Sequence, residues 1–229
     1  ASGVEGNKTT PWNFNVIAQK PAEPTIDTLT DNYLEANGST IVQPGGLTND
    51  ATLLVSGRAE AGVTIILRVN GKPVAEQKVG ADGKWSITIP ENEVSESGQY
   101  KVTAVAKDAA GQDSDPTGDY IFNFDGSAPS KPLMPSLTDS VGDKQGPVQG
   151  GGIIDDETPV LRGQAESGDS VVTIYNNGVK VGLATVNADG SWSYTLSLKQ
   201  GPQNITVTET DKAGNTSEPS DNFNFVVDS

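Results

Sequence analysis

Neither cysteine nor histidine occurs in the 229 residues. Without cysteine there is no disulfide and no thiolate chemistry. Without histidine the usual general base and the commonest nitrogen ligand for metals are both missing. Any metal would therefore be held by oxygen, which points to Ca²⁺, Mg²⁺ or Mn²⁺ rather than zinc or copper. Positive charge is scarce as well: 15 Lys and Arg stand against 30 Asp and Glu, a formal net charge of −15. A nucleic-acid binder needs a basic face, so that class is excluded, and docking on anionic lipid is disfavoured. No apolar run approaches the roughly 20 residues of a membrane-spanning helix, so no membrane insertion of this segment is expected. A glycine-rich phosphate loop and a G-x-S-x-G elbow are also missing, and no enzyme is expected.

Turn formers are abundant. The 26 Gly and 14 Pro are too many breakers for a helical bundle. The chain starts at Ala1 with no signal-peptide pattern, so it is expected to be a piece of a longer protein. Cysteine absence alone does not fix the compartment.

The chain repeats itself. Ala81-Asp82-Gly83-Lys84-Trp85-Ser86 returns 107 residues later as Ala188-Asp189-Gly190-Ser191-Trp192-Ser193, and Asn70-Gly71 returns as Asn177-Gly178 at the same offset. Gly57-Arg58-Ala59-Glu60-Ala61-Gly62 matches Gly163-Gln164-Ala165-Glu166-Ser167-Gly168, and Lys107-Asp108-Ala109-Ala110-Gly111 answers Thr210-Asp211-Lys212-Ala213-Gly214. Two units follow, 24–126 and 127–229, with residues 1–23 as the last loop and strand of a preceding unit plus its linker. The linkers carry Pro21, Pro24 and Pro129, which stiffen them. Within the units, Val63, Ile65, Leu67 and Val69 alternate with polar residues, as do Trp85, Ile87 and Ile89. Period two with one polar side predicts half-buried strands, and Asn-Gly and Asp-Gly are strong hairpin signals. About seven strands in about 100 residues predicts an all-β fold of tandem Ig-like β-sandwiches, end to end. Strands are predicted in the second unit at 133–138, 160–165, 170–176, 179–187, 191–197, 203–210 and 222–228.

Thr158-Pro159-Val160-Leu161-Arg162-Gly163-Gln164-Ala165-Glu166-Ser167-Gly168, with Asn177-Gly178, the Asn187–Ser193 stretch and Thr210-Asp211-Lys212-Ala213-Gly214-Asn215, resembles bacterial Ig-like repeats. Such repeats build the stalks of giant type I-secreted non-fimbrial adhesins of the SiiE and BapA type. The match is looser in 24–126, where Gln112 replaces Asn215 and Asn49-Asp50 replaces Asp155-Asp156. The resemblance implies a rod on the bacterial cell surface, its units stiffened by Ca²⁺, serving adhesion to host cells or biofilm formation.

Seven strands place a unit's termini at opposite poles. Asp125 in the linker is then expected to face Glu166, Asp169, the Asp189 hairpin, and Asp211 with Asn215. Ca²⁺ takes six to eight oxygens, mixing carboxylates, carbonyls and water, and this junction can supply them. Unshielded acids so close would repel, so a cation there relieves Coulomb strain. Asp155 and Asp156 fall at the far pole near Asp228, either as half of the next junction's site or as a simple turn. Asp108 and Asp50 are the first unit's counterparts. Two readings stay open for Asp211 and Asn215, ion ligands or an Asx-type loop. Asp82 and Asp189 read as turn residues, and Glu166 as a solvated loop acid.

Neighbouring repeats of the same chain are the expected partners, and a monomer is expected. The alternative is that the units themselves bind host glycan or protein, through polar loops such as 141–152. Trp85 and Trp192 invite a sugar-stacking reading, but each alternates with apolar residues and reads as core. Trp12 belongs to the preceding unit.

Overall fold

The computed structural model describes residues 19–32, 40–143, 145–166 and 170–229. Residues 1–18 of the expected preceding tail, with Trp12, lie outside the described residues, and so does Asp169. The described residues contain strands and turns and no helix.

The first sandwich is built from β1 (Thr25–Asp31), β2 (Thr40–Ile41), β3 (Leu47–Thr48), β4 (Leu54–Arg58), β5 (Thr64–Val69), β6 (Lys72–Lys78), β7 (Lys84–Thr88), β8 (Gly98–Lys107) and β9 (Tyr120–Phe124). Its sheets run β2-β1-β4-β7 and β3-β9-β8-β5-β6. The second comprises β10 (Ser136–Asp139), β11 (Gly146–Val148), β12 (Ile153–Ile154), β13 (Val160–Gln164), β14 (Val171–Asn176), β15 (Val179–Thr185), β16 (Ser191–Thr195), β17 (Gly201–Thr210) and β18 (Phe223–Val227). It repeats the arrangement as β11-β10-β13-β16 and β12-β18-β17-β14-β15. Both are Ig-like sandwiches, two facing antiparallel-rich sheets closed over one core.

The alternation in the sequence decides which side chains are inside. Ile65, Leu67 and Val69 of β5 point into the first core with Trp85, Ile87 and Phe122. Val172, Ile174, Trp192, Ile205, Val207 and Phe225 fill the second. Trp85 and Trp192 are each 3% exposed, so both indoles are core and neither offers a face to a sugar. Each lies across the neighbouring strand from a glycine, Gly57 opposite Trp85 and Gly163 opposite Trp192. The missing Cβ is what admits the ring: a methyl at Gly57 would run into the Thr25 carbonyl oxygen and the indole.

Seven long strands recur in each unit, joined by two short ones that the sequence placed in loops. The stretch 141–152, expected to be a free polar loop, contributes β11 to one sheet and leads into β12 on the other. β12 runs parallel to β18, as β3 does to β9. Predicted strand 133–138 begins later, at Ser136, because Pro132 and Pro135 withhold backbone donors; Leu133 is 81% exposed.

The two kinds of glycine turn also part company. Asn70-Gly71 and Asn177-Gly178 have positive φ at both positions (50° and 82°, 51° and 78°) and close true hairpins, β5–β6 and β14–β15. At Asp82-Gly83 and Asp189-Gly190 only the glycine has positive φ, and the turn carries the chain from one sheet to the other. The expected Asp189 hairpin is thus a crossing between sheets. Its aspartate accepts from the Ser191 backbone N–H (3.0 Å) and Oγ (2.6 Å), satisfying a donor that has no ladder partner there.

Gly57→Ala is expected to destabilise the first sandwich by about 1–3 kcal/mol and to leave the second unchanged. Urea unfolding followed by indole fluorescence of Trp85 and Trp192, read separately through single-Trp variants, checks this.

Candidate functional site: the junction between the sandwiches

The first sandwich ends where the Asp125 N–H donates to the Thr48 carbonyl (3.0 Å), beyond the last rung of β9. Its side chain is then held outward: Oδ1 accepts from Ser97 Oγ (2.9 Å) and from the Ser127 N–H (3.1 Å). On the other side the loop after β17 is closed by Asp211. Asp211 Oδ1 accepts from the backbone N–H groups of Gly214 (2.8 Å) and Asn215 (2.9 Å), and Oδ2 accepts from Asn215 Nδ2 (3.1 Å). This is an Asx-type loop in its own right. The same Asn215 amide donates across the junction to the Asp125 carbonyl oxygen at 2.7 Å. One side chain therefore touches both sandwiches.

Around that contact lies a cleft of about 350 Å³, lined among others by Asp125, Pro129, Glu166, Glu209, Asp211 and Lys212. Three acids expected to meet here, Asp125, Glu166 and Asp211, do line one surface. Glu166 turns toward the linker, accepting the Ser130 N–H through Oε2 (2.6 Å). Asp169 lies outside the described residues. Asp189 is occupied by its own turn.

Glu209 is the residue that sequence reasoning missed. It sits on β17 opposite Val172, is 1% exposed, and forms part of the cleft wall. Its carboxylate accepts the Glu166 N–H at 3.1 and 2.9 Å and Ser170 Oγ at 2.6 Å. The signal was available: in the run Ile205, Val207, Glu209, alternation points all three inward.

Asp155, Asp156 and Asp228 gather at the opposite pole, where the Asp228 N–H donates to the Ile154 carbonyl (2.9 Å). Asp155 is exposed, whereas Asp156 is 1% exposed. Asp156 Oδ2 accepts from the Ser140 N–H (3.1 Å) and Oγ (2.8 Å), and Oδ1 from the Thr158 N–H (2.7 Å) and Oγ1 (3.3 Å). Asp50 does the same in the first sandwich, accepting from the Asn32 N–H and from Thr52. These two buried carboxylates have a structural task, tying the end of the first strand to the start of the next, that needs no ion. Asp108 repeats Asp211's loop closure by accepting the Gln112 N–H (2.8 Å). With Glu60 and the linker residues Gln19–Ala22 it lines the equivalent cleft of the first sandwich.

No group of three or more acidic side chains converges into a metal cage among the described residues. The carboxylates of Asp125, Glu166, Glu209 and Asp211 line the junction beside Lys212, while the Asn215 amide presents Nδ2 to the Asp125 carbonyl and to Asp211. Carboxylate oxygens are hard donors, of the kind that favour Ca²⁺ or Mg²⁺ over softer metals.

Comparison with known proteins gives residues 132–229 as a match to the bacterial Ig-like domain family and residues 42–119 as a match to a bacterial Ig domain family. Each of the two sandwiches thus matches a bacterial Ig-like family model over most of its length. Domains of these families are typically structural or adhesive modules rather than enzymes. Among curated proteins, Bacillopeptidase F of Bacillus subtilis (strain 168) is 32% identical over 168 residues. That alignment takes in 73% of this chain but only 10% of the length of that relative. Solved structures similar to it include a 1.5-MDa bacterial ice-binding adhesin (20% identity, TM-score 0.46, covering 92% of this chain and 67% of that one). A Ca²⁺-stabilized adhesin of an Antarctic bacterium is also similar (22%, TM-score 0.43, 90% and 50%). So are the fibronectin(III)-like modules of Clostridium thermocellum CbhA (14%, TM-score 0.44, 79% and 87%).

Burial alone would raise the Asp156 carboxyl, but the hydrogen bonds from Ser140 and Thr158 outweigh it and hold the group below the usual carboxylate range. A depressed native value stabilises the fold above the unfolded value, about 3.9, and this is lost as pH falls through the native one. Asp156→Ala should therefore cost the second sandwich about 1–3 kcal/mol at pH 7, by stranding buried donors. The gap between wild type and variant should shrink below about pH 4, as read by urea unfolding at pH 7 and pH 3.

Proposed function

We propose that this chain is a segment of the stalk of a bacterial cell-surface adhesin, exported to the outside of the cell, in which Ca²⁺ at the junction limits bending between consecutive Ig-like domains. The reading is carried by one observation, the Asn215 amide bridging to the carbonyl of Asp125, whose residue lines an acid-rich cleft with Glu166 and Asp211. The linker and the next domain thus already meet through an N–H···O hydrogen bond. Asp125 would hold the ion from the first domain, with Asp211, Asn215 and Glu166 from the second. A bound divalent cation supplies a link between oxygens of both domains, replacing mutual repulsion among the acids with attraction to a shared charge.

The chain's own residues prepare the joint. Ser97 and the Ser127 N–H orient the Asp125 carboxylate, and Pro129 restricts the linker's φ. Lys131 Nζ reaches Asp221 at 2.6 Å, fastening the linker to the second domain, as Lys20 reaches Asp115 at 2.5 Å on the first. These exposed ion pairs contribute little energy individually. Their role is to set direction. At the far pole, Asp228 stands where Asp125 stands in the preceding repeat, after an equivalent backbone bond, and would serve a following domain in the same way.

Calcium is expected to narrow the distribution of interdomain angles in small-angle scattering, and a chelator to broaden it. Asp211→Ser should abolish the calcium-binding heat in calorimetry. Scattering curves that are identical with ion and with chelator would overturn the stiffening.

A further inference from the structure

The two five-stranded sheets end on corresponding strands, β6 in the first sandwich and β15 in the second. Each is the second arm of an Asn-Gly hairpin, and each is bulged at the same place. A terminal strand carries backbone N–H and C=O groups with no ladder neighbour, and such a strand can pair with another chain. The first sandwich blocks this at β6. Pro73 withholds a donor, and Lys72, Glu76 and Lys78 put charge along the strand. Lys72 Nζ reaches Glu93 at 2.8 Å, and Gln77 Oε1 accepts the Ser86 N–H (2.8 Å) of the adjoining terminal strand β7.

The second sandwich has given up these devices. At the equivalent positions β15 has Val179 for Lys72, Lys180 for Pro73, Leu183 for Glu76 and Thr185 for Lys78. Lys180 is its one charge. Val179 and Leu183 are 67% and 53% exposed, and Val171 of the neighbouring β14 is exposed beside them. The Val181 carbonyl, at the bulge, is taken by Tyr194 Oη (2.8 Å). Beyond it Gly182–Thr185 runs in regular register with β14 on one side only.

Acids are scarce on the same side. Residues 170–208, from β14 into β17, hold a single acid, Asp189, and its carboxylate is occupied by Ser191. The corresponding stretch of the first sandwich, 63–105, holds Glu76, Asp82, Glu91, Glu93 and Glu96. Two copies of a chain with net charge −15 repel wherever their acids face one another. The side bearing β15 is therefore where a second copy meets least repulsion. An antiparallel terminal strand is also complementary to itself, because a two-fold axis beside it sets it against its own copy.

We infer that β15 is an interaction edge whose partner is β15 of a second copy of this chain, the two sheets joining antiparallel into one continuous sheet. Leu183 then packs on apolar side chains of the other copy, and the outward backbone groups of Gly182–Thr185 gain partners. One strand's length is far below the about 800 Å² per partner that a stable complex buries. The assembly is accordingly weak and set by concentration. It makes no use of the junction between the sandwiches, so calcium and chelator leave it unchanged.

The test is sedimentation velocity of the full chain over a concentration series at low and high salt, with circular dichroism as the folding control. The wild type is expected to move from monomer toward dimer as concentration rises, and more readily in high salt, which screens the acids. Val179→Lys combined with Leu183→Glu restores the charges of β6 and is expected to stay monomeric with the strand spectrum kept. Leu183→Glu alone stands in should the pair fail to fold. Leu133→Glu, at an 81% exposed position in the linker before β10, is expected to behave as the wild type. Because the chain has no cysteine, a single introduced thiol reports which surfaces meet. A short bismaleimide is expected to link Leu183→Cys to its copy but not Val171→Cys, since three strand spacings, about 14 Å, separate the two copies of β14. A wild type that is monomeric at every concentration leaves the edge to a foreign strand and overturns the inference. Association that survives the charge variants, or is lost in Leu133→Glu, overturns it too. Linking through Val171→Cys as fast as through Leu183→Cys overturns edge pairing in favour of stacked faces.

Discussion

One amide group joins the halves of this molecule. Asn215 Nδ2 is held by its own loop through Asp211 and donates to the carbonyl of Asp125, the residue with which the first sandwich ends. Every other feature of the junction is referenced to that contact. Asp125 reaches it because its N–H closes on Thr48, and Asp211 because two backbone N–H groups of its loop converge on Oδ1. Carboxylates collected around so short a bridge impose a local electrostatic cost, which screening by salt reduces and a bound divalent ion removes more completely. The acid excess of the chain matters at this seam more than as an overall charge.

Repetition turns the molecule into its own control. The two sandwiches share topology, hairpins, Trp-over-Gly packing and the buried aspartate pins at Asp50 and Asp156. Features kept in both copies belong to the fold. Glu209 against Ala106 and Asn215 against Gln112 differ at the N-terminal pole, and Asp155 against Asn49 differs at the other. Differences at the poles cost the core little, because alanine and glutamate at that strand end both leave the apolar residues below in place.

Much of this was legible in the residues. Alternation at Ile65, Leu67 and Val69 and the Asn-Gly turns fixed strand phase and hairpins, because both depend on neighbours in sequence. The short strands β11 and β12 were not legible. Gln145–Ile154 is rich in glycine and has weak local preference, and its pairing is supplied by distant strands. Asp82-Gly83 and Asn70-Gly71 look alike locally, and only the packing of two sheets makes one a crossing and the other a hairpin. The acids divided along the same line. Asp125, Glu166 and Asp211 could be placed together from strand count and Glu209 turned inward by alternation, whereas the burial of Asp50 and Asp156 depends on tertiary donors that no spacing reveals.

The short parallel pairings have a mechanical consequence. In the second sandwich β12 runs parallel to β18 and is fastened to it by Gly151 N–H to Asn224, Val226 N–H to Gly152 and Asp228 N–H to Ile154; Gly45, Asn123 and Asp125 repeat the pattern in the first. A pull on the two ends of either domain draws these neighbours in opposite senses along their length. The load is then shared by all the fasteners at once, as in a lap joint, instead of opening them one after another like a zip.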